Sequence, residues 1–433
     1  MKKEVFFRGR YIAVILAAII AAAGFSACTP VRQLSNAADV ITQDFPTADN
    51  TLTSMLQIKN AMYDAMSNGE TEMTFNIADI DENELMHIGD NMSSFWGKPV
   101  KFSVNNLFKS VDGIVPGRTV DIRNVTNYFE LSSNYYVYDF IKNGVPVPDG
   151  MTYAKQIADK LPGIAAEIFT DPSASDFDKT LAAHDWLITH IEYDDSTPGI
   201  SEENGSYGAL VLGRTMCQGY AQSLELLLKC YTDIEIVQIV GEALNVNDPP
   251  PADPETAPAD SETAPDGTAA DTQNSGGGDA APADQSAPQV WGGHAWNAVK
   301  LDGAWYQIDT TFNDPRGNTE GSLSHFYFGQ TDDVMSANHR WEKDFFPVSD
   351  TENFLFFRNK GLFAENWDAF QSMFSDMLAE SPLTSIEIAI QGAKIDENNI
   401  QFIYKIRPEI EEFRWSEQEW NDICVNSIEL VYS

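Results

Sequence analysis

The sequence predicts an α+β protein whose central part packs a helix against an antiparallel sheet. The helix is indicated by residues 217–231, in which leucines recur at helical spacing. The sheet is indicated by residues 293–314, where Asp302 and Gly303 separate two runs rich in apolar residues, a strong hairpin signal. Smaller units on either side contain both helical and alternating patterns, which completes the α+β class.

Residues 1–27 have the composition of an export signal. A basic segment precedes a short apolar run, and the residues FSAC that end at Cys28 resemble a bacterial lipobox. The sequence therefore predicts that Cys28 is the lipidated first residue of the mature chain and that residues 28–50 form a polar tether. An uncleaved anchor helix is the alternative. Both predict an extracytoplasmic protein, and the lipobox predicts a lipid anchor in the bacterial cell membrane.

The formal net charge of the chain is -38. Nucleic acid and anionic lipid repel such a polyanion, so the composition excludes DNA and RNA as partners. Charge of this sign and size is typical of a well-solvated surface. We expect the protein to be a monomer.

The cysteine count points to a free thiol. Besides Cys28, the chain contains Cys217, Cys230 and Cys424, an odd number outside the cytosol. Cys217 and Cys230 are predicted to share one helix, where their spacing corresponds to about 20 Å. A disulfide needs Cα atoms within about 7 Å, so these two cysteines do not pair and no disulfide framework is implied.

Residues 51–150 are predicted to form an N-terminal α+β domain, and residues 349–433 a C-terminal one. In the first, helices are expected at 51–69 and 81–96, and strands at 72–80, 100–108, 119–131 and 134–141. In the second, we expect a helix at 366–380, strands at 385–391, 399–406 and 427–433, and a short polar helix before the last strand.

The central domain is predicted to span residues 151–348 and to contain a disordered acidic insertion at 245–289. That segment holds eight prolines and nine acidic residues, with no Lys, Arg or aromatic residue. Nothing in such a composition offsets the entropy lost on ordering. A linker between two domains is the alternative. We favour an insertion because the segment separates residues of one candidate site, and we expect its two ends to lie close together.

Cys217 is placed where a thiol can be activated. It precedes the leucines of the predicted helix 217–231 and so lies at the helix N-terminus. The thiolate is the reactive form of cysteine, and the partial positive charge of a helix N-terminus lowers the thiol pKa. The free N–H groups there can also bind a developing oxyanion. Cys230, on the last turn among leucines, is expected to be buried and unreactive.

His294 is the candidate base, and Asp309 is the candidate for the group that orients it. We expect Leu301 and Ala304 to close the Asp-Gly turn. His294 then faces Thr311 and lies diagonal to Asp309 on the same face of the hairpin. Diagonal neighbours are about 7–8 Å apart at Cα, within reach of a His–Asp hydrogen bond. Ordinary strand residues are the alternative interpretation.

Several segments, read in order, resemble the transglutaminase-like superfamily: GRTMCQGYAQSLELLLK, VQIVGEA, GHAWNAVKLDGAWYQIDTTFND and HFYFGQTDDVMSANHRW. They are similar in particular to bacterial exported members with a CxGYA…HAWN…DGxWYxxDxTxxD pattern, over roughly residues 176–345. The resemblance implies a papain-like core, in which a helix carrying the cysteine packs on an antiparallel sheet carrying His and Asp. The long acidic insertion departs from the family pattern.

By position, the resemblance implies Cys217 as nucleophile, His294 as base and Asp309 as orienting acid. Tyr207 would line the site or supply an oxyanion hydroxyl, with a core tyrosine as the alternative. Trp296 would pack beside the imidazole. We expect no metal site from six singly scattered histidines, and no cofactor because phosphate loops and dinucleotide fingerprints are missing from the sequence.

The implied activity is that of a surface-anchored cysteine enzyme acting on peptide or glutamine amides through a thioester. It would be a protease, an amidase or a crosslinking acyltransferase. The expected substrate is a protein or peptide, with a cell-wall peptide as one candidate. The alternative is a non-catalytic cell-surface binding or scaffolding module that retains the fold.

Overall fold

The computed structural model describes residues 51–78, 80–81, 85, 94–110, 120–194, 196, 201–245, 290–314, 323–380 and 382–433. The predicted signal, the tether with Cys28, most of the helix expected at 81–96 and nearly all of the acidic insertion lie outside the described residues. The described part confirms the predicted α+β class. Its helices accompany sheets of four, five and four strands and one two-stranded ladder.

The N-terminal part forms a four-stranded sheet with the order β1-β2-β4-β3. Its elements are β1 (Thr51–Leu52), α1 (Met55–Ser67), β2 (Glu72–Ala78), β3 (Gly97–Ser110), β4 (Val120–Leu131) and α2 (Ser133–Asn143). The helix expected at 51–69 and the first three expected strands are therefore confirmed. The side chain of Ser54 caps α1 by accepting the N–H of Gln57, which satisfies one of the free N–H groups of the first turn.

The strand expected at 134–141 is wrong, because these residues form α2. Ser132 caps this helix by accepting the N–H of Tyr135, and Gly144 ends it in the left-handed conformation, with φ at 72°. The aromatic residues that suggested a strand pack on their neighbours instead, with Tyr138 edge-on to Trp96 at 5.1 Å. Tertiary packing here outweighs the strand propensity of the local sequence.

The central part begins with helices and continues into an antiparallel sheet. Its elements are α3 (Thr152–Ile168), α4 (Asp176–His190), β5 (Glu192–Tyr193), β6 (Arg214–Thr215), α5 (Cys217–Tyr231), β7 (Ile236–Asn245), β8 (Val290–Leu301), β9 (Ala304–Ile308), α6 (Thr310–Asn313), β10 (Phe328–Gln330), α7 (Asp332–Met335) and β11 (His339–Arg340). The sheet order is β10-β9-β8-β7-β11, and all neighbouring strands are antiparallel. Helix α5 packs on this sheet, where Asn297 Nδ2 of β8 donates to the carbonyl of Ala221 at 3.0 Å.

The β8–β9 hairpin has the predicted turn. Leu301 pairs with Ala304, and Asp302 and Gly303 both have positive φ, at 50° and 86°. Two consecutive positive φ angles are what a two-residue turn of this kind needs, because its twist then matches that of the strands. The register continues to the pair of residues 297 and 308, where the β9 pairing ends.

The acidic segment joins two neighbouring strands of the central sheet. Strand β7 ends at Asn245 and β8 begins at Val290, and these two residues are cross-strand partners. The chain therefore returns to the sheet that it leaves. The proposed domain boundaries themselves stay predictions.

The C-terminal part forms a sheet with the order β12-β13-β15-β14. Its elements are α8 (Leu355–Asn359), β12 (Phe363–Ala364), α9 (Trp367–Glu380), β13 (Ser385–Gln391), α10 (Gln401–Ile406), β14 (Ile410–Trp420) and β15 (Ile423–Tyr432). The helix at 366–380 and the strands at 385–391 and 427–433 are confirmed. The other two expectations are exchanged: 399–406 is the helix α10, and the expected polar helix is the strand β14.

Packing explains that exchange. In α10, Phe402 is buried and lies edge-on to Phe370 of α9 at 6.2 Å, so its apolar residues face a helix. Strand β14 is an edge strand, and edge strands carry charged residues because one side meets water. Its Arg414 lies opposite Glu429 of β15 and pairs with it at 3.2 Å.

Two hydrophobic clusters hold the described residues together. The larger includes Met62 of α1, Leu227 of α5 and Trp296 of β8, so the N-terminal and central parts share one core. The smaller lies between the C-terminal sheet and its helices and includes Phe374 and Ile388. Among the helices that the structure describes, none combines the length and the apolar character that crossing a bilayer needs.

Candidate active site

Cys217 is the first residue of α5, as the sequence predicts. The N-cap, Met216, makes no side-chain hydrogen bond to the helix, so the first N–H groups of α5 keep their partial positive charge. Gly219 lets β6 approach this turn closely, because a Cβ on Gly219 would lie 2.0 Å from Thr215 Oγ1. The strand before the cysteine and the first turn of the helix are thus packed against each other with no space for a side chain.

The Cys217 thiol is half-buried and its pKa is below the ordinary value. Burial alone raises the pKa of this thiol. The charge of His294, a hydrogen bond from the same ring and the backbone N–H of Ala295 together lower it by more. The neighbouring carboxylate of Asp309 acts in the opposite direction. The outcome favours the thiolate, which is the nucleophilic form.

His294 lies on β8, opposite Gly241 of β7, and is buried. Its Nε2 is 2.7 Å from Oδ2 of Asp309. Since Nε2 is engaged in this way, Nδ1 is the ring nitrogen that remains for the thiol of Cys217. Burial disfavours a charged imidazole, but the charges of Asp309 and Cys217 raise the pKa of His294 to about 10. The two shifts together favour a thiolate next to an imidazolium.

Asp309 follows β9 and caps the short helix α6. Its Oδ1 accepts the N–H of Phe312 at 3.0 Å, which leaves Oδ2 for His294. The predicted pairing of His294 with Thr311 is wrong, because β9 ends at Ile308 and Thr311 lies within α6. The side chain of Asp309 reaches His294 all the same. Burial raises the pKa of Asp309, but the nearby imidazoles hold it far below its usual range.

A second imidazole, that of His339, contacts Asp309, and the sequence did not predict this contact. His339 Nε2 lies 2.9 Å from Asp309 Oδ2, and both side chains are fully buried. Next to it, the amide of Asn338 is 2.6 Å from the hydroxyl of Tyr327 and 2.7 Å from His339 Nδ1. The segment containing His339 was part of the resemblance. However, its position depends on the pairing of β11 with β7, which no short-range pattern indicates.

Trp296 and Tyr207, the two further residues predicted to line the site, have different surroundings. The Trp296 ring is stacked beside His294, with 5.9 Å between centroids, and its Nε1 donates to Gln307 Oε1 at 2.6 Å. Tyr207 packs edge-on to Tyr153, and its hydroxyl lies 3.5 Å from Gln156 of α3. The structure therefore brings Trp296 together with Cys217, His294 and Asp309, whereas the contacts described for Tyr207 are with α3.

The histidines are not scattered singly in the fold. Besides the pair on Asp309, His184 and His325 share Oδ1 of Asp185, at 2.9 and 3.0 Å. Three groups within the described ranges bring possible metal-ligand atoms within 4.8 Å of one another: His184, Asp185 and His325; His294, Asp309 and His339; Glu417, Glu419 and Cys424. In the first two groups these atoms are hydrogen-bonded to one another.

Two cavities lie near these residues. A larger one, about 780 Å³, lies between His325 and the C-terminal sheet. A smaller one, about 320 Å³, is lined by Gln218 and Gln222 of α5 and by Glu202. The smaller cavity opens beside the turn that carries Cys217, because Gln218 is the next residue. Cys217, His294 and Asp309 do not line the larger cavity.

A search among curated proteins gave no match. Among solved structures the chain is similar to one described as a TGase, at 13% identity and a TM-score of 0.25, covering 59% of this chain and 56% of that chain. The chain thus spans little more than half the length of that structure.

Two further structures are similar at the same level of identity, 13%. One is a candidate cysteine protease from Cytophaga hutchinsonii, with a TM-score of 0.23. The other is the periplasmic domain of TgpA from Pseudomonas aeruginosa bound to ethylmercury, with a TM-score of 0.21. Both similarities cover 56% of this chain and 72% of the other.

The family profile described as the transglutaminase-like superfamily matches residues 163–310. The matched range begins in α3, contains Cys217 and His294, and ends one residue after Asp309. Residues 163–310 of this chain therefore form a domain that matches the transglutaminase-like superfamily.

Proposed function

We propose that this protein is a cysteine enzyme that transfers acyl groups from peptide or glutamine amides through a thioester on Cys217. One observation carries the proposal: a buried Asp309–His294 hydrogen bond of 2.7 Å orients an imidazole toward a half-buried thiol at a helix N-terminus. Covalent acyl transfer needs a nucleophile, a base and an acid that orients the base, and Cys217, His294 and Asp309 supply these groups in that order.

In the proposed reaction the Cys217 thiolate attacks the amide carbonyl, and a carbon–sulfur bond forms. The N–H groups of the first turn of α5 stabilise the negative charge that develops on the oxygen. The carbon–nitrogen bond then breaks, and the His294 imidazolium gives its proton to the departing amine. Asp309 holds the ring in position and stabilises its positive charge, which makes the thiolate–imidazolium state the resting state.

The thioester is resolved by a second nucleophile. Water gives a carboxylic acid, which makes the protein a protease or an amidase, and an amine gives a new amide, which makes it a crosslinking enzyme. In both cases neutral His294 accepts the proton of the attacking group. A protein or peptide is the proposed substrate, with a cell-wall peptide as one candidate, because both supply amides to an extracytoplasmic enzyme.

Export and membrane attachment belong to the proposal and rest on the lipobox-like sequence that ends at Cys28. A lipid anchor there would hold the enzyme at the bacterial cell membrane. The proposal also includes a monomeric protein that does not bind nucleic acid. Metabolic labelling with a radioactive fatty acid tests this point. Label that persists in a Cys28→Ala variant would contradict an anchor on this residue.

The experiment that tests the activity uses the purified protein with a glutamine-containing peptide, with and without a primary amine. Ammonia release, amine incorporation and the mass of an acid-trapped acyl-enzyme are measured together. We expect an acyl group on Cys217 and turnover that disappears in Cys217→Ala but not in Cys230→Ala, a matched cysteine on the same helix. Equal, negligible turnover in all three proteins would instead indicate a non-catalytic binding module.

A further inference from the structure

His339 is a buried imidazole that the proposed steps do not use. Its Nε2 lies 2.9 Å from Asp309 Oδ2, the same oxygen that accepts from His294 at 2.7 Å. His339 is 1% exposed and Asp309 is 0% exposed. Burying these polar side chains costs free energy, which their hydrogen bonds must offset.

The fold makes room for this contact at Gly241. His339 belongs to β11, which pairs with β7 next to Gly241. A Cβ on Gly241 would lie 2.1 Å from the carbonyl oxygen of Arg340 and 2.9 Å from Cη2 of Trp296. A side chain at position 241 would therefore push β11 and the tryptophan away. The missing side chain lets β11 lie close enough for His339 to reach across to Asp309.

The direction of the hydrogen bond follows from the charge of its partner. The nearby imidazoles hold Asp309 ionised, so its carboxylate can only accept. His339 must therefore donate from Nε2, whatever the state of its other nitrogen. With the N–H of Phe312 on Oδ1, the carboxylate accepts three hydrogen bonds, two of them from imidazoles.

We propose that His339 is a positioning residue for Asp309. Its N–H holds the Asp309 carboxylate in place and partly neutralises its negative charge. His294 thereby keeps its orientation and its ability to give a proton to the leaving amine. This inference rests on the proposed function. An N–H donor on Oδ2 draws charge away from the hydrogen bond to His294. Without it, Asp309 would hold the imidazolium proton more tightly.

The groups that face His339 come from four elements. Asp309 approaches from the N-terminus of α6 and His294 from β8, and Tyr327 and Asn338 lie on the segments next to β10 and β11. Burial raises the pKa of Tyr327 to about 12, so this hydroxyl does not titrate below pH 10. Burial lowers the pKa of His339, although its hydrogen bonds to Asp309 and with the Met335 backbone act in the opposite direction. Among these groups, His294 has a pKa of about 10 and is therefore the one whose loss of charge the alkaline range reports.

The test replaces His339 with Leu, which removes the N–H, and with Gln, whose amide can still donate. The rate of Cys217 alkylation by iodoacetamide is measured against pH, and its basic limb reports the loss of the His294 proton. We expect that limb to move upward by about one pH unit in His339→Leu and to return toward wild type in His339→Gln. His190→Gln, a change at an exposed histidine, should leave the limb unmoved.

Turnover supplies the second readout. In His339→Leu the rate with an amide substrate should fall about tenfold further than the rate with an activated ester, because only the amine must be protonated to leave. An unmoved basic limb together with an unchanged amide-to-ester ratio would show that His339 only fills space. If His339→Leu does not fold, Gly241→Ala decides, since moving β11 should shift the limb in the same direction.

The alkylation profile separates this inference from the proposed function. A protein that turns over neither amide nor ester, but whose Cys217 alkylation still shows the expected shift in His339→Leu, would contradict the proposed activity and support the positioning role. A protein that turns over normally with identical profiles in all variants would support the activity and contradict the role of His339.

Discussion

His325 donates its Nδ1–H to Glu387 Oε2 at 2.6 Å, and this bond joins the central part of the chain to the C-terminal sheet. The other ring nitrogen lies 3.0 Å from Asp185 on α4. With a carboxylate on each side, both nitrogens donate and the ring is an imidazolium. Burial lowers the pKa of His325, but the hydrogen bonds to Asp185 and Glu387 raise it to about 9.

This relationship predicts how stability depends on pH. A pKa raised from 6.5 to about 9 contributes stability that is fully present below pH 6.5 and is lost as pH rises through 9. The contribution is on the order of 3 kcal/mol. In Glu387→Gln, the free energy of unfolding should therefore fall less between pH 7 and pH 9.5 than in wild type. Urea unfolding measures this difference.

The matched control for that experiment is Glu411→Gln. It removes an exposed carboxylate from β14 of the same C-terminal sheet and should leave the pH dependence as in wild type. The opposite result, a Glu387→Gln protein whose stability falls as steeply as that of wild type, would show that His325 is not held as a cation.

His294→Ala should raise the thiol pKa of Cys217, because the variant lacks the positive partner of the thiolate. The pH dependence of Cys217 alkylation measures it. Cys230 and Cys424 are internal controls, since burial raises the pKa of both to about 12. In wild type at pH 7, Cys217 should react much faster than either. Coinciding alkylation curves in wild type and variant would show that Cys217 and His294 are not paired.

Asp309→Asn should preserve the fold and reduce acyl transfer by about a thousandfold or more. The amide is neutral and cannot stabilise the His294 imidazolium, and its NH₂ group can face the two imidazoles that now donate to Oδ2. The rate constant for acylation measures the loss. Asp302→Asn makes the same chemical change in the turn of the β8–β9 hairpin, where asparagine also adopts positive φ. Similar activity in the two variants would contradict the role given to Asp309.

Gly219→Ala and Gly163→Ala should have opposite effects. A Cβ at position 219 would lie 2.0 Å from Thr215 Oγ1, so the first turn of α5 must move and Cys217 with it. A Cβ at position 163, in α3, meets nothing within 4 Å. Alanine there should stabilise the helix by roughly 0.5–1 kcal/mol. Melting temperatures and Cys217 alkylation rates of both variants check this, and a Gly219→Ala protein that alkylates normally would contradict it.

The sequence predicts the parts of the fold and site that depend on local patterns. Asp302-Gly303 defines its own hairpin, and Cys217 precedes its own helix, because neighbouring residues determine both. The His339 contact and the shared Asp185 depend on pairing between distant segments, to which no local pattern corresponds. The exchange of helix and strand at 399–420 has the same cause, since Phe402 is an apolar residue whose partner, Phe370, lies in another element.

Deleting residues 248–288 should leave a folded protein with one unfolding transition. Asn245 and Val290 are cross-strand partners, so a short connection can replace the long one without moving β7 or β8. The closure entropy of a loop changes by only about 0.6 kcal/mol for each doubling of its length, so shortening the connection should stabilise the protein slightly. His294 lies on β8, four residues after Val290, where the strand begins. The alkylation rate of Cys217 therefore also reports whether β8 keeps its register. Calorimetry and alkylation should both resemble wild type. Two separate transitions, or a lost alkylation rate, would show instead that the segment links two independently folded domains.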